Sequence, residues 1–163
     1  MDIQIRAITL DDVENFHKAL DDVARERRFL RLTEAPPLAS TGDFVAGNIE
    51  HGNPQLVVID DGRIVGWCDI CRNSYHAARH VGSLGMGLVA SHRGRGIGFS
   101  LITAAIAAAQ PKFGRIELDV YETNLPAIAL YEKVGFEHEG RRKKAIEIEG
   151  HYVDVLTMGM VFS

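Results

Sequence analysis

Cysteine is almost missing from this chain of 163 residues: there are two, Cys68 and Cys71, spaced as a single C-x-x-C. So few exclude a framework stapled by disulfides. A redox pair wants its first thiol at the start of a helix. Here Ile64-Val65-Gly66-Trp67-Cys68-Asp69-Ile70-Cys71 reads as a strand, in which residues three apart point to opposite faces. Two buried or half-buried thiols are expected instead. Long hydrophobic runs are also missing, since the most apolar stretch, Leu101 to Ala109, is too short to span a bilayer. Met1-Asp2-Ile3-Gln4-Ile5-Arg6 has neither the basic nor the hydrophobic block of a signal peptide, so a cytoplasmic protein without a membrane partner is expected. Positive charge is not in excess, with 18 Lys and Arg against 22 Asp and Glu and a net charge of -4, which argues against nucleic acid as a partner. No pair among the 7 histidines has a recognisable metal-ligand spacing, so no metal is expected.

What remains is an ordinary globular composition, 46% apolar and 25% charged, long enough for one domain over 1–163 that buries roughly 70% of its unfolded surface. Ile3 to Ile8 reads as a strand. Thr9-Leu10-Asp11-Asp12 is a capping-box-like start to a helix with Val13, Phe16, Leu20 and Val23 on one face. Thr33-Glu34-Ala35-Pro36-Pro37 interrupts the chain before a weaker helix around Thr41 to Glu50. Leu56 to Ile59 and Arg63 to Cys71 form a hairpin about Asp60-Asp61-Gly62. A strand from Val81 to Val89 and an alanine-rich helix from Ile97 to Gln110 follow. Arg115 to Tyr121 alternates at period two, with Ile116, Leu118 and Val120 on one face. Asn124 caps a short helix with Pro126 in its first turn and Gly135 at its end, and the rest reads as two strands turning near Glu149-Gly150. This order predicts one α/β or α+β sheet with helices on its faces.

The most informative segment is Ser91-His92-Arg93-Gly94-Arg95-Gly96-Ile97-Gly98, an R-x-x-G-x-G turn between a strand and a helix. Glycines let backbone N–H groups approach an anion, the helix presents its positive end, and the arginines add charge, so the turn suits a pyrophosphate. A dinucleotide fold is the first rival, because Asp119 follows roughly 20 residues later at the end of the next strand. The glycines do not complete G-x-G-x-x-G, however, and the roughly 40 residues after Val120 leave no room for a second half. A Walker loop is excluded by the lack of G-K-[ST]. A tight turn with no ligand is the plain alternative.

About 25 residues further on stands Asn124-Leu125-Pro126-Ala127-Ile128-Ala129-Leu130-Tyr131-Glu132-Lys133-Val134-Gly135-Phe136. R-x-x-G-x-G followed by N-x-x-A-x-x-x-Y-x-x-x-G-F resembles the GNAT superfamily of acyl-CoA-dependent N-acetyltransferases, over about Val81 to Arg141. The closing Gly150-His151-Tyr152-Val153-Asp154 is similar to bacterial members that acetylate amino acids, polyamines and related small amines. The resemblance implies a mixed, mostly antiparallel sheet of six to seven strands with about four helices and a splayed central strand pair. It implies acetyl-CoA as cosubstrate, with its pantetheine arm along Met86, Gly87 and Leu88. The pyrophosphate would lie on Gly94, Gly96, Ile97, Gly98 and Phe99, helped by Arg93 and Arg95, and Asn124 would contact the cofactor near its reacting end. A plain N-cap is an equal reading of Asn124.

The implied reaction is direct attack of an amine on the thioester, with the Leu88 N–H on the oxyanion and Tyr131 as the acid for the leaving thiolate. A phenol near pKa 10 is a weaker acid than a thiol near about 8.5, so full transfer would be uphill by roughly 2 kcal/mol unless it accompanies bond cleavage. Asp119 matches a position where some relatives carry a glutamate base. A solvated or arginine-paired carboxylate is an equal reading, and Glu122, Asp69 and His80 are fallbacks. Arg141-Arg142-Lys143-Lys144 reads as a solvated strand edge or turn, or as a contact for the cofactor's 3'-phosphate or an acidic substrate. The loop from Leu30 to Ser40 is expected to form part of the substrate wall, where Glu34, with Glu147 or Glu149, would favour a cationic substrate. The expected acceptor is a primary amine of a small molecule, an amino acid first. A protein N-terminus or ribosomal protein is the alternative, and a non-catalytic acyl-CoA binder the rival from another class. A homodimer is common among similar proteins.

Overall fold

A computed structural model describes residues 2–163. Seven strands form one sheet, β1 (Ile3–Ala7), β2 (Gln55–Asp60), β3 (Arg63–Arg72), β4 (Val81–Leu88), β5 (Arg115–Tyr121), β6 (Glu137–Ile148) and β7 (His151–Val161), in the order β1-β2-β3-β4-β5-β7-β6. Every neighbouring pair is antiparallel except β4 and β5. That parallel step needs a crossover, which α3 (Ile97–Ala109) supplies. Helices α1 (Val13–Arg25), α2 (Leu38–His51) and α4 (Leu125–Val134) complete an α+β fold with the expected strand and helix numbers.

Local chemistry accounts for most of these boundaries. Asp12 Oδ2 accepts from the Thr9 N–H at 2.8 Å, closing the anticipated capping box, and one 3-10 turn precedes α1. The second helix begins at Leu38 rather than near Thr41, because Pro37, at φ -50 and ψ 145, is already shaped to lead into it. Two-residue turns at Asp61-Gly62 (φ 51 and 74) and Glu149-Gly150 (φ 48 and 82) match the twist of their hairpins. Gly135, at φ 112, ends α4.

Alternation along β3 and β4 divides the packing between two faces. On one, Trp67 meets Phe16 of α1 with ring centroids 5.6 Å apart, and a Cβ on Gly87 would strike the Trp67 ring at 2.5 Å. On the other, Gly98 of α3 lies against Leu88, Met86 and Leu130. Phe16, Ile70, Leu101, Ile102, Ile116 and Met158 are fully buried between these layers, each worth about 1.5–3 kcal/mol. Cys68 is buried and Cys71 half-buried on opposite faces of β3, as the strand reading requires. The Arg141 to Lys144 run lies exposed on edge strand β6. Among the described residues no helix is long and apolar enough to cross a membrane.

Candidate active site

The parallel pair at the centre of the sheet is joined by three registered residues only, Val81↔Arg115, Gly82↔Ile116 and Ser83↔Glu117. On its other side β4 pairs with β3 all the way to Leu88. Beyond Ser83 the sheet therefore opens into a wedge between β4 and β5. The Val89 N–H donates to Val65 O, so by strand alternation the backbone groups of Met86 and Leu88 face the wedge. Backbone groups facing such a gap are a ready edge for another extended molecule.

At the mouth of the wedge the chain turns through Gly94 (φ 73) and Gly96 (φ 79) straight into α3. A Cβ at either glycine would meet nothing within 4 Å, so glycine is required there by the backbone angle and the space above the turn is open. The Ser100 N–H is the first to bond back, to Gly96 O, which leaves the N–H groups of Ile97, Gly98 and Phe99 at the helix's positive end. Ile97 turns its side chain into the core, so it offers only its backbone there. Phe99 is exposed beneath Lys133, whose Nζ lies 4.5 Å from the ring centroid, and Arg95 is exposed on the turn.

Arg93 differs from its expected role beside a phosphate. Its Nη atoms donate to Glu26 at 2.8 and 2.5 Å, its Nε donates to Leu88 O at 3.0 Å, and its guanidinium lies 4.6 Å from the Phe29 ring centroid. These donors clamp the end of α1 to the end of β4, so Arg93 positions the turn. His92, buried between Asp60 (2.7 Å) and Ser91 (2.8 Å), pins the same turn to β2. Neither partner was legible locally, because Glu26 and Asp60 lie 67 and 32 residues away.

Across the wedge, Asn124 Oδ1 accepts from the Ala127 N–H at 3.4 Å, the plain cap. Further along α4, Tyr131 is buried, with its ring edge-on to Phe136 at 5.9 Å. Burial, helped by the Cys68 thiol, pushes its pKa up, so the phenol stays protonated and can give a hydrogen bond but not act as a base. Burial likewise pushes the Cys68 thiol up, so charge of either kind is disfavoured in this dry space.

Asp119 does not stand as a waiting base. Arg31 donates to it at 3.0 Å and Arg142 at 2.9 Å, so two guanidiniums occupy the carboxylate. Glu122 is similarly held by Arg141 and the Asp154 N–H, and His80 is exposed at the closed end of β4. Asp69 is different. It is 9% exposed and sits opposite Gly85 on the face packed by α1 and α2. Cys71 Sγ donates to it at 3.6 Å, and burial pushes its pKa up to about 7. A carboxyl near neutrality is poised to exchange protons. Over the same face of β5 and β7 lies an open cavity of about 540 Å³, reached by Ser83, Asp119, Arg142 and Thr157. Among the described residues no cluster of three or more His, Cys, Asp or Glu could hold a metal.

The family model described as Acetyltransferase (GNAT) family matches residues 16–136. The L-amino acid N-acetyltransferase AaaT of Escherichia coli (strain K12) is 36% identical over 112 residues, 68% of this chain and 69% of that protein. An acetyltransferase of the GNAT family from Streptococcus pneumoniae superposes with a TM-score of 0.92 at 26% identity, covering 99% of this chain and 100% of that one. A phosphinothricin acetyltransferase from Sinorhizobium meliloti, solved in complex with AcCoA, superposes at 0.93 with 19% identity, over 100% and 90% of the two chains.

Proposed function

Because the chain belongs to the GNAT acetyltransferase family and is an N-acetyltransferase, we propose that it moves acetyl from acetyl-CoA to the primary amine of a small molecule, an amino acid or close relative first. The observation that carries this reading is the wedge between β4 and β5 ending in an open glycine turn at a helix N-terminus. The residues fit the cosubstrate: N–H groups from Gly94 to Phe99, with Arg95, face the place for a pyrophosphate. Met86, Gly87 and Leu88 give the extended arm a strand edge, and Asn124 flanks its reacting end.

Acetyl-CoA supplies an activated acyl group, and the protein supplies position and protons. The Leu88 N–H, fixed because Arg93 holds the carbonyl of the same residue, points where negative charge develops on the acyl oxygen. Tyr131 donates a hydrogen bond to the leaving sulfur. Asp69 takes the proton of the incoming ammonium, through a water if needed, and replaces Asp119 in that role. Similarity to an L-amino acid N-acetyltransferase supports the acceptor class. We propose further a single domain, a cytoplasmic setting and a homodimer, with a protein N-terminus as the alternative acceptor.

Thermal-shift titration tests the cosubstrate: stabilisation by acetyl-CoA and none by NAD or NADP is expected, and the reverse would overturn the reading. A screen of amino acids, polyamines and peptide amines, followed by thiol release, then tests the acceptor. Turnover of peptide amines alone would favour the alternative.

A further inference from the structure

Tyr121 ends β5 with a hydroxyl that nothing among the described residues satisfies. The residue is 5% exposed, and its oxygen is buried without a hydrogen-bond partner. Its ring packs on Val153 and Val155, with Ile146 and Ile148 at the edge. A phenylalanine would fill that cluster without the cost of stranding a polar atom. Such an orphan calls for a ligand group to complete it.

The surroundings show what kind. The ring lines a cavity of about 110 Å³ whose one wall is the loop between α1 and α2, with Arg27, Arg31 and Thr33, and whose other is the tip of the β6–β7 hairpin, with Glu147 and Glu149. Arg31 is tethered by Asp119, which Arg142 also holds, so a guanidinium is fixed at the cavity's edge by a carboxylate on the same strand as Tyr121. Its charge reaches the phenol: burial pushes the Tyr121 pKa up and Arg31 draws it part of the way back. Tyr121 also stands on the β5 side of the wedge, four residues past the last registered pair, Ser83↔Glu117. Gly87 lies equally far along β4 from that pair, so the two residues flank the opening along which the proposed thioester arm would run.

We propose that Tyr121 and Arg31 bind the carboxylate of the acceptor, so that the enzyme selects amino acids over amines that lack one. This deepens the acceptor class proposed above and rests on it. A carboxylate has only acceptor oxygens, one for the phenol O–H and one for the guanidinium N–H, a pairing strengthened by charge. An ammonium could donate to the phenol oxygen, but it would sit against Arg27 and Arg31. Glu147 and Glu149 oppose a carboxylate on their own wall, which fixes its place on the arginine side and leaves the acidic wall to the cationic part of the acceptor. Asp119 becomes a positioning residue that acts through Arg31.

The test compares an L-amino acid with its own carboxamide and its decarboxylated amine, in wild type, Tyr121→Phe and Arg31→Gln. Wild type is expected to favour the acid by at least about tenfold in kcat/KM. Each variant should lower that ratio by about tenfold, mainly through KM for the acid. Tyr121→Phe should not melt earlier, since it removes only an unpaired hydroxyl. Equal use of acid and carboxamide by wild type, or a ratio unmoved in Tyr121→Phe, would overturn the proposal while acetyl transfer stands. Calorimetric titration of the amino acid onto the CoA-loaded protein separates the two ideas. Binding weakened by Tyr121→Phe without turnover of any amine would sink the transfer reading and keep this site. Binding indifferent to Tyr121 would overturn the site.

Discussion

Wild-type stability is expected to fall by about 4 kcal/mol between about pH 4 and about pH 8, and the substitution Asp69→Asn is expected to remove that fall. The carboxyl ordinarily titrates at 3.8, but burial in the fold raises it to about 7. Just over three pH units separate these values, at about 1.4 kcal/mol each. Through that interval the unfolded chain has released the proton and the folded protein still holds it. Raising the pH therefore pulls the equilibrium towards unfolding, until the folded carboxyl ionises too and the loss levels off. Such a loss is a large share of the roughly 5–15 kcal/mol that holds a domain together. Of the other groups displaced by the fold, Glu139, held down by Arg115, reaches into the acid end of this window, below its ordinary 4.5, and the rest lie outside it. Asp12, brought down to about 2 by Arg6, contributes stability that disappears only as pH falls below its ordinary 3.8. Cys71, pushed up to about 12, matters only above its ordinary 9.0. The side-chain carbonyl introduced by Asp69→Asn would still offer the Cys71 thiol an acceptor, and the unpaired amide N–H beside it adds a cost that does not vary with pH. The slope, not the offset, is therefore the test. Urea unfolding of both proteins from about pH 5 to about pH 8 measures it, and parallel curves would refute the reasoning. The same variant's rate profile should lose its rise near pH 7 if Asp69 is the base.

Tyr131→Phe is expected to lower kcat by about 10²–10⁴-fold with acetyl-CoA affinity unchanged, and equal turnover would remove the tyrosine as donor. Arg93→Ala should cost roughly 1–3 kcal/mol in urea unfolding, by stranding Glu26 and freeing Leu88 O. Its acetyl-CoA affinity should lose no salt dependence, whereas a flatter salt dependence would make Arg93 a phosphate ligand after all. Gly96→Ala meets no atom but must hold φ 79, so a loss of about 1–2 kcal/mol with weaker acetyl-CoA binding is expected, measured by unfolding and by titration.

Much of this architecture was legible where the cause is local. Asn124 and Gly135 bracket α4 because a cap and a left-handed stop act within one turn, and the alternation from Arg115 to Tyr121 alone placed Asp119 on the face away from the core. The wedge came from the resemblance, since no spacing within β4 announces how far β5 will follow it. What escaped depends on partners brought from afar. Arg93 looks like a phosphate ligand until Glu26 arrives from α1, and the choice between a base and an arginine-paired carboxylate at Asp119 stays open until Arg31, 88 residues away, closes on it. Asp69 reads only as one fallback base among three, because its proton affinity is set by the layers that cover it. Nothing local marks Tyr121, since a tyrosine at a strand end is commonplace and only the packing around it strands its hydroxyl.

Three rungs are a thin seam between two half-sheets of four and three strands. A guest lying in the slit would act as a zip, lending the missing rungs for as long as it stays. The molecule would then be stiffest when charged with acyl donor and loosest just after its product departs. A cell starved of donor would hold the form that proteases open first.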